Sequence, residues 1–177
     1  MQPVLFCLLS LLLATTALGN DTTHLQADRT ADDRRISVPA GFSAVVIAQD
    51  LGRARHIAAA PNGDLYVKLE RLKDGKGIYR LHDADKDGMI DDISGFGNYT
   101  GTGIAIHQGY LYASSNSEVF RYRLNEQTGL VDTTSEQEIV TGLVDKRQHN
   151  SKSLALDHTG HLYVNIGAPS NCCQVQD

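Results

Sequence analysis

Three short segments of this 177-residue chain follow one plan: HIAAAPNGDLYVKL at 56–69, GIAIHQGYLYASS at 103–115 and SLALDHTGHLYVNIG at 153–167. In each, a short apolar run meets a glycine-bearing turn, and a Leu-Tyr pair opens the next run. The pairs fall at 65–66, 111–112 and 162–163, 46 and 51 residues apart. Glycine supplies the positive φ that tight hairpin turns need. A repeat of this length, built from short strands, cannot bury its apolar face within one unit, so each unit must stack on its neighbour.

Two further runs, GIYRLHD at 77–83 and VFRYRLN at 119–125, alternate apolar with polar residues as half-buried strands do. FSAVVIA at 42–48 and EQEIVTG at 136–142 read as additional strands, each opening a unit. No amphipathic helix stands out. Four short strands per unit predict an all-β β-propeller, with roughly the first three blades present or begun. The alternative is a small all-β sandwich whose hairpins resemble one another by accident. A propeller needs more blades to close, so the expectation is the N-terminal part of a longer protein.

The ends and the charge narrow the classes further. Residues 1–19 combine an apolar run with small residues at Ala17-Leu18-Gly19, the shape of a secretory signal. Residues 20–35 are polar and aperiodic, and read as a linker. The domain itself is expected over 36–177, secreted or periplasmic and free of the membrane once the signal is removed. The net charge of −5 and pI of about 5.7 argue against nucleic acid, which selects a clustered positive field. Cys172 and Cys173 are adjacent, so their mutual bond would be strained and a distant partner is expected.

Two motifs carry chemistry. HDADKDGMIDD at 82–92 sets Asp83, Asp85 and Asp87 at alternating positions before Gly88, the first half of a calcium loop. Asp91 is a further ligand candidate, but the twelfth position is Ser94 in place of a bidentate Glu. A solvated acidic turn is the competing reading. The second motif is RQHNSK at 147–152, at the entry to the third repeat. The innermost strand of a propeller blade starts near the central channel, so His149, Gln148 and Lys152 are candidates to face a ligand there. Arg55, with Arg53 and His56, holds the matching entry of the first unit, and Gly101-Thr102-Gly103 that of the second. A neutral imidazole can take a proton from a hydroxyl. By spacing alone, the reading of His149 as a loop histidine is the favoured one. No nucleophile elbow, phosphate loop or dinucleotide fingerprint is present.

Taken together, LGRARHIAAAPNGDLYVKL, GTGIAIHQGYLY and RQHNSKSLALDHTGHLYVNIGAPSN resemble the sorbosone dehydrogenase-like and soluble glucose dehydrogenase group, from about Ser37 to the last residue. These are secreted quinoprotein sugar dehydrogenases on a six-bladed propeller that use pyrroloquinoline quinone (PQQ) and calcium. The resemblance implies oxidation of a sugar or aldehyde by hydride transfer to the quinone, with electrons passed to an external acceptor. His149, Ser151 and Leu154 match the family's H-x-S-x-x-L pattern, which makes His149 the implied general base. Where the glucose enzymes carry Ile-Gly-Asp, whose Asp helps position base and substrate, this sequence reads Ile166-Gly167-Ala168, which leaves two alternatives: a different substrate, or another group in place of that Asp. The family's remaining cofactor contacts, and the calcium that bridges to the quinone, fall beyond residue 177, so the acidic loop is not that calcium site. The stretch 20–177 alone is expected to be inactive. Two rival functions remain open: a calcium-dependent lactonase-like propeller hydrolase and a non-enzymatic ligand-binding propeller.

Overall fold

The computed structural model describes residues 36–168 except Glu126 and Arg147. The signal, the linker, Cys172 and Cys173 lie outside the described residues. The protein divides into two compact units, 1–45 and 46–177. The described part of the first contains a turn at Ala40-Gly41, closed by the Phe42 amide on the Pro39 carbonyl at 3.1 Å.

The second unit is built from antiparallel sheets. The first sheet orders β1 (Ala54–Ala59), β2 (Leu65–Lys73), β3 (Lys76–His82) and β4 (Asp92–Phe96) as neighbours. The second repeats the arrangement with β5 (Ile104–His107), β6 (Tyr110–Ser114), β7 (Val119–Arg123) and β8 (Gln137–Val140). A third sheet holds β9 (Leu154–Leu156) and β10 (Leu162–Val164). Among the described residues there is no α-helix, only a short 3₁₀ turn at Thr133–Ser135 whose N-cap is Asp132.

The three glycine turns form as the repeat predicts. Gly63, Gly109 and Gly160 all have positive φ. His107 pairs with Tyr110 across Gln108-Gly109, both in positive φ, which is the two-residue turn that matches strand twist. The other two turns share one hydrogen-bond plan: Ala60 N to Asp64 O at 2.8 Å, and Asp157 N to His161 O at 3.1 Å. Ladder pairs Ile57↔Val67, Ile104↔Ala113 and Leu154↔Val164 then occupy the same place in each sheet. β1 packs beside β5, and β5 beside β9, so the first strands of successive sheets are neighbours.

Two strand expectations shift. FSAVVIA at 42–48 contains no strand, because alternation makes a strand only where an edge offers a ladder. The strand in EQEIVTG closes the second sheet instead of opening the third. The Leu124↔Val131 bridge and the Asp132-capped turn fold the backbone back, and β8 pairs with β7. Its counterpart, β4, was hidden in a five-residue stretch, DISGF, that follows the acidic loop.

The first two sheets share one apolar core. Tyr66, Ile78 and Phe96 from the first meet Ile104, Leu111, Ala113, Tyr122 and Leu124 from the second. Phe96 sits edge-on to both Tyr66 and Tyr122, at 6.2 and 5.2 Å between centroids. Each fully buried large side chain contributes about 1.5–3 kcal/mol. The opposite face of the first sheet buries Val67, Leu69, Tyr79 and Leu81 under Leu51, Leu65 and Ile90. Asp64, at the turn before β2, is 1% exposed and accepts from Arg80 Nε at 2.5 Å. His82 Nδ1 lies 2.6 Å from its other oxygen. Burial pushes the Asp64 carboxyl up, but the bonds from Arg80, His82 and Asn62 outweigh it and hold it below the usual carboxylate value.

Lys68 is fully buried on β2. Its ammonium donates to Tyr99 O at 2.7 Å and Gly77 O at 3.3 Å, and lies 4.3 Å from the Tyr99 ring centroid. Burial lowers it from 10.5 to about 7. Between those values the unfolded state holds a proton that the folded state has released, so stability rises with pH across that window. The expected slope reaches about 1.4 kcal/mol per pH unit for this one proton. Urea unfolding of the wild type and Lys68→Met from pH 6.5 to 10 checks it: the rise should be present in the first and absent in the second. Equal slopes would show that Lys68 is not the group responsible.

Candidate active site

The candidate site sits at the entry to β9. Residues 150–153 are fixed from three directions. Lys152, fully buried, turns its ammonium back onto the Asn150 carbonyl at 2.7 Å. Its own carbonyl accepts from Ser114 Oγ at 2.7 Å, and Ser114 Oγ in turn accepts from Gly103 N at 3.0 Å. Asn165 N donates to Ser153 O at 3.1 Å, joining this stretch to the residue that follows β10. His149 precedes the pinned stretch, exposed, with a left-handed backbone at φ 53°. Non-glycine residues in that region carry a local cost of about 1–3 kcal/mol and persist only where neighbours impose them.

The repeat defines what faces what. Two residues before the equivalent ladder positions Ile57, Ile104 and Leu154 stand Arg55, Thr102 and Lys152, Arg55 lying within β1 at the bulge between Ala54 and His56. Neighbouring first strands place these entries at equivalent points of consecutive sheets. Arg55 is exposed, and its guanidinium lies 3.4 Å from Glu70, which also holds Arg53 at 3.7 Å. Thr102 is 9% exposed, and its hydroxyl is buried with no hydrogen-bond partner among the described residues. Gln148 is exposed beside His149. Lys152 does not line open space: its charge is engaged inside its own loop, so its part in this structure is to shape the segment behind His149.

The acidic loop is a separate place, between β3 and β4. Asp83, Asp85 and Asp91 each bring an oxygen within 4.8 Å of the others. Backbone amides already order them: Gly88 N donates to Asp83 Oδ2 at 2.8 Å, Asp87 N to Asp85 Oδ1 at 3.1 Å, and Ala84 N to Asp91 Oδ2 at 2.7 Å. Asp83 Oδ1 is buried and has no hydrogen-bond partner among the described residues. Asp87, the fourth residue of the sequence motif, falls outside the group, with its Oδ1 accepting from Met89 N at 2.8 Å.

Sequence reasoning placed Thr102 at the second entry only as part of Gly101-Thr102-Gly103, and missed Ser114 and Glu70. Glu70 and its arginines share a strand pair, and Thr102 is visible once the repeat register is known. Ser114 carries no local signal, because its partner carbonyl lies 38 residues on and belongs to another sheet.

With this geometry in place, relatives can be compared. The family described as TrAA12-like matches residues 36–175. A pyrroloquinoline quinone-dependent sugar dehydrogenase of Hypocrea jecorina (strain QM6a) is 27% identical over 156 residues, covering 80% of this chain and 35% of that protein. The sequence thus spans about a third of the length of this curated relative. The calcium structure of Trichoderma reesei carbohydrate-active enzymes family AA12 is similar over 70% of this chain and 32% of its own, with a TM-score of 0.57 and 29% identity. The holo form of the pyranose dehydrogenase PQQ domain from Coprinopsis cinerea covers 70% of this chain and 30% of its own, with a TM-score of 0.58. At 19% identity, that likeness is one of fold. With a match that runs through both complete sheets, the third sheet and the His149 loop, this chain belongs to the TrAA12-like family.

Proposed function

We propose that this chain is the N-terminal part of a PQQ-dependent sugar or aldehyde dehydrogenase, secreted or periplasmic, on a closed six-bladed propeller. The observation that carries the reading is His149. It is exposed at the entry to β9, within H-x-S-x-x-L, in a segment matched by the family. PQQ, when bound, supplies a two-electron acceptor for hydride. With the quinone in place, His149 Nε2 or Nδ1 would be the group that takes the proton from the sugar hydroxyl. The described residues fit this division of labour only in part. They offer an exposed imidazole and one arginine, Arg55, already shared with Glu70. The quinone's carboxylates need further cations, which this reading assigns to the rest of the propeller. Gln148 and Arg55 are the substrate- or cofactor-facing residues of this part of the ring.

The acidic loop is assigned a structural calcium, held by Asp83, Asp85 and Asp91 and distinct from any calcium at the quinone. The buried, unpartnered Asp83 Oδ1 supports the fit to a hard cation. A loop of this kind binds at about 0.1–1 mM. Addition of 5 mM calcium should raise the melting temperature by about 2–4 °C. The shift should disappear in Asp83→Asn/Asp85→Asn. A melting temperature that ignores calcium, or an equal shift in the double variant, would remove the ion from the loop.

Activity is tested on the full-length protein loaded with PQQ and calcium, by reduction of dichlorophenolindophenol with free aldoses and with sorbosone. Dye reduction is expected in the wild type and should fall by roughly 10²–10⁴-fold in His149→Ala, the usual reach of a general base. Turnover unchanged in His149→Ala would end its catalytic assignment. Lactone hydrolysis without quinone would favour a calcium-dependent hydrolase, and binding without turnover a recognition module.

A further inference from the structure

Building on the reading of His149 as the base, we propose that Gly167 is its positioning residue. The two are 18 positions apart, on opposite sides of the third hairpin. A Cβ added at Gly167 would stand 2.4 Å from the His149 carbonyl oxygen, 2.5 Å from its Cβ and 3.2 Å from its carbonyl carbon. These atoms cannot move aside by a change of rotamer, because they are backbone and the first side-chain atom. Gly167 itself does not have positive φ, so alanine meets no backbone penalty of its own there. The three nearest obstacles all belong to His149.

His149 cannot yield freely. Asn150 is held by the Lys152 ammonium, Lys152 by Ser114, and Ser153 by Asn165. The segment that follows His149 is therefore anchored on two sheets, and the left-handed backbone at φ 53° absorbs the remaining change of direction. Gly167 leaves the room in which that turn fits. A methyl group at 167 forces the His149 peptide to swing, and the imidazole moves with it. Displacement of about 1 Å at a reacting group costs roughly 100-fold in rate.

The test uses the full-length protein with PQQ, calcium and the best-turned-over free aldose. Gly167→Ala is compared with wild type, His149→Ala and the double variant. Gly167→Ala should lower kcat by roughly 100-fold, with KM and PQQ retention unchanged and the acidic limb of the pH–rate profile displaced. The double variant should be no slower than His149→Ala. Wild-type kcat in Gly167→Ala overturns the proposal. So does a double variant slower than His149→Ala, since Gly167 would then act on something else. If His149→Ala alone keeps full activity, it is the base assignment that fails. Where Gly167→Ala does not fold, His149→Gly in that background should restore folding by freeing the peptide. If it does not, relaxing the residue-149 peptide does not relieve the crowding and the proposal falls.

Discussion

The structure depends on one packing contact, the face of the first sheet laid on the face of the second through Tyr66, Phe96 and Tyr122. Edge-to-face aromatic contacts fix both spacing and rotation, because a ring has few orientations that satisfy its neighbours. Around them the polar groups of the interface are closed off: Tyr122 donates to Glu136, its hydroxyl lies 3.2 Å from that of Tyr99, and Lys68 ends on the Tyr99 carbonyl. Each removes a cost that an unpaired buried group would impose. Once two sheets are locked this way, β1 and β5 have one mutual arrangement, and the Ser114 bond to the Lys152 carbonyl ties the loop entering β9 to it.

The site then follows from a division between stiff and open parts. Ser114 belongs to the well-packed second sheet and holds the Lys152 carbonyl, while the residue that would do chemistry, His149, remains exposed. A base needs both properties, a fixed position and access to substrate, and the two are supplied here by different residues. The acidic loop is arranged on another principle. Its carboxylates are ordered by backbone amides of the same loop, so its geometry is local and independent of the sheet stacking.

Much of this was legible in the sequence where the signal is local. The Gly63, Gly109 and Gly160 turns and the strands around the Leu-Tyr pairs follow from spacing and from what hairpins demand of φ. The short outer strands were not legible in the same way. DISGF carries no clean alternation, and EQEIV alternates but does not say which sheet it joins; the return at Leu124↔Val131 decides that. At the site, the motif singles out His149, which stands exposed before β9, whereas Lys152, expected by its charge to face a ligand, closes on a carbonyl of its own loop. Residue type announces a charge, but only the surrounding carbonyls determine where it points. Asp87 shows the same limit, since a regular spacing of aspartates does not make them converge.

Arg55, Thr102 and Lys152 occupy one position repeated three times, with a different chemistry at each. The pairs two residues later, Ile57↔Val67, Ile104↔Ala113 and Leu154↔Val164, are equivalent in the three sheets although a different side chain precedes each. Substitutions at this coordinate can therefore accumulate one sheet at a time while the scaffold stays constant. A lineage built on such repeated sheets can change the chemistry of these entries in small, nearly independent steps, without passing through an unfolded ancestor.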